Sequence, residues 1–254
     1  MQLFQGDCLE KMKDIPDKSI DMILCDLPYG TTSCHWDSVI PFEPLWSQYR
    51  RIIKDRRAIV LFAGEPFAST LRLSNIAWYK YDWIWEKNNA VGFVNAKLKP
   101  MNKHEVVCVF SNGKTSNRNN SNMIYNPQDL KPYNKTIKNS KMSKKENTYD
   151  RPSTNSTDYF QQWTNYPASI LKFNQPSKAV HPTQKPVPLL EYLIRTYSNE
   201  GDVVLDNCMG SGSTGVAAVN TDRNFIGIEL TDKYFQIAKE RIDEAVKSRK
   251  EDLF

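Results

Sequence analysis

The sequence predicts an α/β protein: one mostly parallel sheet with helices on both faces. Three observations carry that expectation. Short apolar runs alternate with stretches whose apolar residues recur at helical spacing. Several runs are apolar without a break, as strands covered on both faces are. A glycine-rich turn lies directly between one such run and a helical stretch.

Taken in order, Ile20–Asp26 (IDMILCD) reads as a buried strand ending in an acid. Phe42–Lys54 is a helix behind Pro41, with apolar residues at Phe42, Leu45, Trp46, Tyr49, Ile52 and Ile53. Arg57–Gly64 is a second buried strand, and Pro66–Leu73 a helix. Tyr81–Trp85 and Val106–Phe110 are strands with charged flanks. Pro186–Tyr197 carries proline in the first turn of a helix that Gly201 stops. Val203–Asp206 and Phe225–Glu229 are strands joined by a helix starting near Ser213, and a long amphipathic helix runs from Asp232 to about Arg249. Between Asn112 and Ala179 the periodicity fades. A structureless loop of that length is uncommon, so the expectation is a small subdomain or partial disorder: an insert over 112–180, with a core of 1–111 and 181–254.

The chain has 254 residues, enough for one large domain or two small ones. No run of 18 apolar residues exists, which excludes a membrane span of that kind. MQLFQGDCLE lacks the basic flank of a signal peptide. The five cysteines (8, 25, 34, 108, 208) include no CxxC, which argues for a reducing cytoplasm and against a disulfide framework or a zinc ribbon. No metal is expected, since His35, His104 and His181 form no cluster with them. The net charge of +5 is uneven: residues 97–151 hold 12 Lys and Arg against 4 Asp and Glu, and 10 Asn. The remainder is slightly acidic. The basic segment is either a polyanion-contacting surface or a solvated loop.

Asp206–Gly215 (DNCMGSGSTG) matches G-x-G-x-x-G at Gly210, Gly212 and Gly215. Such a turn lets backbone approach a nucleoside-bearing ligand. Glu229 ends the next strand, where a carboxylate can hold ribose hydroxyls, so the sheet is of Rossmann type. A plain strand–helix turn, a dinucleotide and S-adenosylmethionine all remain open on these residues. The dinucleotide reading, that of an oxidoreductase, is weakened because little chain follows to form a second half.

Asp26-Leu27-Pro28-Tyr29 stands at the end of its strand, the edge where ligands bind in open parallel sheets. An exocyclic base amine is a poor nucleophile because its lone pair is delocalised into the ring. The Asp26 carboxylate and the Leu27 carbonyl, each accepting one N–H, would draw that nitrogen toward tetrahedral geometry. Pro28 would stiffen the loop, and Tyr29 would offer a face to a base taken out of its duplex. An acid capping a turn is the plainer alternative.

DLPY, then HPTQKP (181–186), then DNCMGSGSTG resembles the amino-methyltransferases of DNA in their beta arrangement. GD at 6–7, KHEVV (103–107) and GIEL (227–230) fall in the same family order. The resemblance implies a circularly permuted S-adenosylmethionine-dependent methyltransferase fold with a target-recognition insert. It implies catalysis by Asp26, Leu27, Pro28 and Tyr29. It implies a cofactor site of Asp7, Cys8, Lys185, Asp206, Cys208, Gly210, Ser211, Gly212, Glu229 and Leu230. Asp7 would meet the adenine amine and Glu229 the ribose, with Lys185 and Asp206 at the methionine end. DLPY replaces the family's DPPY, and DNC its DPF, which puts Cys208 where an aromatic ring is usual. The acid at position 26 favours adenine N6 over cytosine N4. DNA is the expected partner, through Arg118, Lys131, Lys135, Lys138, Lys141, Lys144, Lys145 and Arg151. The resemblance leaves room for a homodimer and a cognate restriction endonuclease. Cys25, Cys108, Trp83 and Trp85 read as core, and Cys34 as either base pocket or packing.

Overall fold

The computed structural model describes residues 1–30, 37–116, 121–138, 158–176 and 184–251. The first half of the chain forms β1 (Gln2–Gln5), α1 (Cys8–Met12), β2 (Ile20–Asp26), α2 (Phe42–Ile52), β3 (Ile53–Ala63), α3 (Phe67–Ser74), β4 (Tyr79–Val91) and β5 (Asn102–Phe110). There follow β6 (Lys131–Ile137), β7 (Tyr159–Thr164), β8 (Ile170–Lys172) and α4 (Val187–Tyr197). β9 (Val203–Asp206), α5 (Ser213–Asn220), β10 (Asn224–Glu229) and α6 (Asp232–Glu251) complete it.

Eight strands form one sheet in the order β1-β10-β9-β2-β3-β5-β4-β8. Only the two pairings made by β5 are antiparallel, so β5 runs against the other seven. Alternate residues serve opposite faces. Met22, Leu24, Val60 and Phe62 join a core built with α4, α5 and α6. Ile23, Cys25, Ile59 and Leu61 join another built with α1, α2 and α3. With a helical layer on each side, neither face of these strands meets water, which is why they are apolar without alternation.

At the end of β2 remote from Asp26, the buried Asp21 carboxylate lies 2.8 Å from Lys54 Nζ and 2.9 Å from Arg57 Nη2. It also accepts the Val203 amide at 3.1 Å, and Arg57 continues to Asp202 at 2.7 Å. This ion cluster ties β2, β3 and β9 together. On the outer edge, β1 pairs in register with β10 (Gln5 with Glu229), and the Gly6 amide donates to the Glu229 carbonyl at 2.9 Å. The chain's beginning is thereby set beside Glu229, as a permuted order requires.

The chain divides into two compact units, Met1–Asn126 with Ser169–Phe254, and Pro127–Ala168. The second contains the antiparallel pair β6–β7, and Asn165 Nδ2 donates to the Asp129 carbonyl at 2.8 Å. It is narrower than the expected 112–180. Met123 is buried in the first unit's core, the Ile124 amide donates to Arg56, and β8 extends the sheet beside β4.

Candidate active site

Seven strands running the same way put their C-terminal ends on one edge. β2 delivers Asp26 there, β9 Asp206 and β10 Glu229. The reversed β5 contributes an early residue, Glu105, opposite Trp85 of β4. A cavity of about 690 Å³ opens along this edge, within the size range of small-molecule sites. Asp7, Cys8, Asp26, Leu27, Pro28, Tyr29, Lys185, Asp206, Cys208, Gly210, Ser211, Glu229 and Leu230 all line it.

Gly212 does not. At φ 78° it starts α5, and a Cβ there would stand 2.9 Å from the Cα of Ala238. Its role is to seat the turn against α6. Gly210 instead donates its amide to Glu229 Oε2 at 2.9 Å, while the Thr231 amide donates to Oε1 at 2.8 Å. Glu229 is thus locked by two backbone donors, each oxygen keeping a lone pair. Asp7 caps α1, its Oδ1 accepting from the Leu9 amide at 2.8 Å and the Glu10 amide at 3.2 Å. Asp206 is buried and accepts from Thr214 Oγ1 at 2.6 Å and the Cys208 amide at 3.1 Å. Burial pushes its carboxyl up to about 6.

The neighbouring Cys208 thiol and burial raise the Cys8 thiol. Cys25 is pushed up to about 12, chiefly by burial. Protonated thiols give the cavity wall at Cys208 a neutral, polarisable surface. Tyr49 Oη, also buried, donates to the side-chain carbonyl of Asn207 at 2.6 Å beneath it.

On the other side of the cavity, Tyr29 Oη donates to Asp26 Oδ1 at 2.7 Å and Lys185 Nζ to Oδ2 at 2.6 Å. Lys185, which the resemblance puts at the border of the methionine end, thus holds the DLPY acid and lines the same cavity. Its ammonium lies 3.1 Å from Glu105 Oε2, close enough for ion pairing but off the hydrogen-bonding direction. It also stands 5.1 Å from the Phe62 ring centroid. Glu105 Oε1 lies 2.5 Å from Lys87 Nζ. Burial raises the Asp26 carboxyl, and Lys185 beside it offsets only part of that rise. Burial works the same way on Glu105, but two ammonium groups hold it below the ordinary glutamate range. The Lys185 ammonium is kept charged by its two carboxylates against the cost of burial. Tyr29 stacks on Phe67, with centroids 5.1 Å apart and planes at 25°.

Glu105 and Lys87 were not read as functional from sequence. The sequence shows them only as charges flanking apolar strands, with nothing to place them at the edge where Asp26 lies. Trp83 and Trp85 are core as expected, and Trp85 also lines the cavity. Lys131, Lys135 and Lys138 are exposed on or just after β6, with Lys135 Nζ 5.0 Å from the Tyr133 ring centroid. Arg118, Lys141, Lys144, Lys145, Arg151, Cys34, His35 and His181 lie outside the described residues. Among the described residues no group of three His, Cys, Asp or Glu side chains is placed to hold a metal, and no helix is long and apolar enough to cross a membrane.

A seven-up, one-down sheet, a glycine turn locked to a strand-end glutamate, and acids on neighbouring strand ends define an S-adenosylmethionine-dependent methyltransferase. The donor set fits that cofactor: buried Asp206 and Glu229 keep acceptor capacity toward the cavity, and Cys8, Met209 and Leu190 give it apolar walls. The family model described as DNA methylase, covering N6 and N4 enzymes, matches residues 20–240, and the chain belongs to that family. The Type II methyltransferase M.HinfI of Haemophilus influenzae is 30% identical over 95% of this chain and 68% of its own length. M.HpaI of Haemophilus parainfluenzae is 26% identical over 95% and 74%. The crystal structure of the M1.HpyAVI–SAM complex superposes with a TM-score of 0.62 at 27% identity, over 94% of this chain and 98% of that one.

Proposed function

We propose that this DNA methyltransferase acts on adenine, at N6, of a base flipped out of its duplex. The observation that carries the reading is the carboxylate at position 26, steadied by Tyr29 and Lys185 and open to the cavity. S-adenosylmethionine supplies an electrophilic methyl group when bound. Asp7 would receive the cofactor's adenine amine, Glu229 its ribose and Asp206 its amino group. The acceptors for the target N6 are Asp26 and the Leu27 carbonyl, which between them take both N–H bonds and free the lone pair. A carboxyl raised by burial suits the next task, taking the proton that N6 sheds as its new bond forms. Tyr29 would hold the base in line through its ring. Lys131, Lys135 and Lys138, with the basic segment around them, would contact phosphate.

Mass spectrometry of nucleosides from DNA methylated by the purified chain tests the choice of base. N6-methyl-2′-deoxyadenosine is expected. N4-methylcytosine as the product would overturn the reading, as would an Asp26→Ala variant as fast as the wild type. Likeness to two Type II methyltransferases supports a restriction-modification setting. In that setting a cognate endonuclease and a homodimer are the further partners to seek, by protection of modified DNA from cleavage and by sedimentation.

A further inference from the structure

The connection from β4 to β5 is an exposed, ordered and strongly apolar tip at the mouth of the cavity. β4 carries Trp85 and Lys87 along the cavity wall, and Val91 still lines it. Val91 pairs with Asn102, so the connection leaves a closed strand pair. Gly92, at φ 94°, turns the chain into a single helical turn, Phe93–Asn95. That turn is held by backbone bonds from Asn95 to Gly92, Ala96 to Phe93, and Leu98 and Lys99 to Asn95. Phe93 is 79% exposed, Val94 95% and Leu98 85%. Lys97 and Lys99 are exposed beside them, and residues 91–101 contain no acid.

Large apolar side chains held in water on a hydrogen-bonded turn call for a partner. The basic flanks fit a polyanion, and two copies of the same tip would bring like charges together. Phe93 follows Val91, which lines the cavity, by two residues. A base drawn into the cavity leaves a gap in its stack, and apolar wedges are what other proteins place in unstacked steps. We infer that this tip is a wedge that enters the duplex beside the target base. Phe93 and Val94 fill the vacated place, and Lys97 and Lys99 meet the flanking phosphates. The inference rests on DNA as substrate and not on which base is methylated.

The test uses the doubly substituted chain Phe93→Ala with Val94→Ala, on a duplex carrying the site that wild-type enzyme methylates. A second duplex places an abasic position opposite the target, so that little pairing energy opposes flipping. The variant is expected to lose about tenfold or more in rate on the paired duplex and to stay within about threefold of wild type on the abasic one. Its S-adenosylmethionine affinity by calorimetry should be unchanged. No loss on the paired duplex, or equal loss on both, overturns the wedge. So does a wild-type dimer that the substitutions convert to monomer, since the tip would then be a subunit contact. A wild-type chain that methylates no DNA at all overturns the substrate and the wedge with it, a result distinct from an active enzyme indifferent to its tip.

Discussion

At the scale of the residue, Asp26 is the proposed centre of the chemistry, and Lys185 sets its electrostatics. Asp26→Asn keeps an acceptor but loses the charge, and kcat should fall about a hundredfold or more, measured by labelled methyl transfer. Lys185→Met leaves Asp26 and Glu105 facing each other without the ammonium, so the lower limb of the pH–rate profile should move to higher pH. Asp206 gives a second pH dependence. Its carboxyl is raised to about 6, so it loses its charge as pH falls through 6. If it receives the cofactor's amino group, affinity should fall toward tenfold per pH unit below that point. The effect on stability runs the other way. The native state holds this proton more tightly than the unfolded chain, so Asp206 favours folding at pH 4 and loses that contribution as pH rises through 6. Asp206→Asn should flatten both dependences in calorimetry and in urea titration. Asp26, Asp206 and Glu229 were legible as strand-end acids because each closes an apolar run at the edge where ligands bind in such sheets. Glu105 and Lys87 were not, since nothing in KHEVV states that β5 runs backwards and so presents Glu105 at the functional edge.

At the scale of the element, the long apolar strands were legible and the short outer ones were not. β2 and β3 lie between two helical layers, and that burial is written in their composition. β1 has four residues with two exposed, and β8 has three with two exposed, too few for a period to show. Both are fixed by pairing with a distant partner, which local sequence does not encode. The glycine turn behaves as the motif suggests, but by two routes. Gly210 binds Glu229, whereas Gly212 and Gly215 permit close helix packing. A Cβ on Gly215 would come 2.4 Å from Ile242 Cδ1. Gly215→Ala should therefore cost roughly 1–3 kcal/mol by overpacking, read as a lower urea midpoint. Asp21→Ala removes the buried carboxylate that Lys54, Arg57 and the Val203 amide share and leaves Arg57 with Asp202 alone, at up to roughly 3 kcal/mol.

At the scale of the molecule, the basic segment 97–151 spans both units, with Lys97, Lys99, Lys103 and Lys114 in the larger one. The catalytic unit carries acids along its functional edge, while exposed lysines line β6 of the other. Substituting Lys131, Lys135 and Lys138 together by Gln should reduce the salt dependence of DNA binding by up to about three in the log–log slope. S-adenosylmethionine affinity should not change. Equal loss of both affinities would refute that division.

The junctions of the smaller unit have a consequence for how site preference can change. Asn126, just before it, donates its amide to the Thr196 carbonyl at 2.7 Å and its side chain to Arg195, Ser198 and Asn199. Ser169, just after it, accepts from the Ile84 amide at 2.8 Å. Both ends are thus moored to the catalytic unit whatever lies between them. We propose that Pro127–Ala168 is the target-recognition region; it is then a cassette, and a foreign stretch spliced between Asn126 and Ser169 should inherit a working methyl-transfer machine and bring its own sequence preference. New specificities could then arise by recombination at two fixed points, with no readjustment of the chemistry.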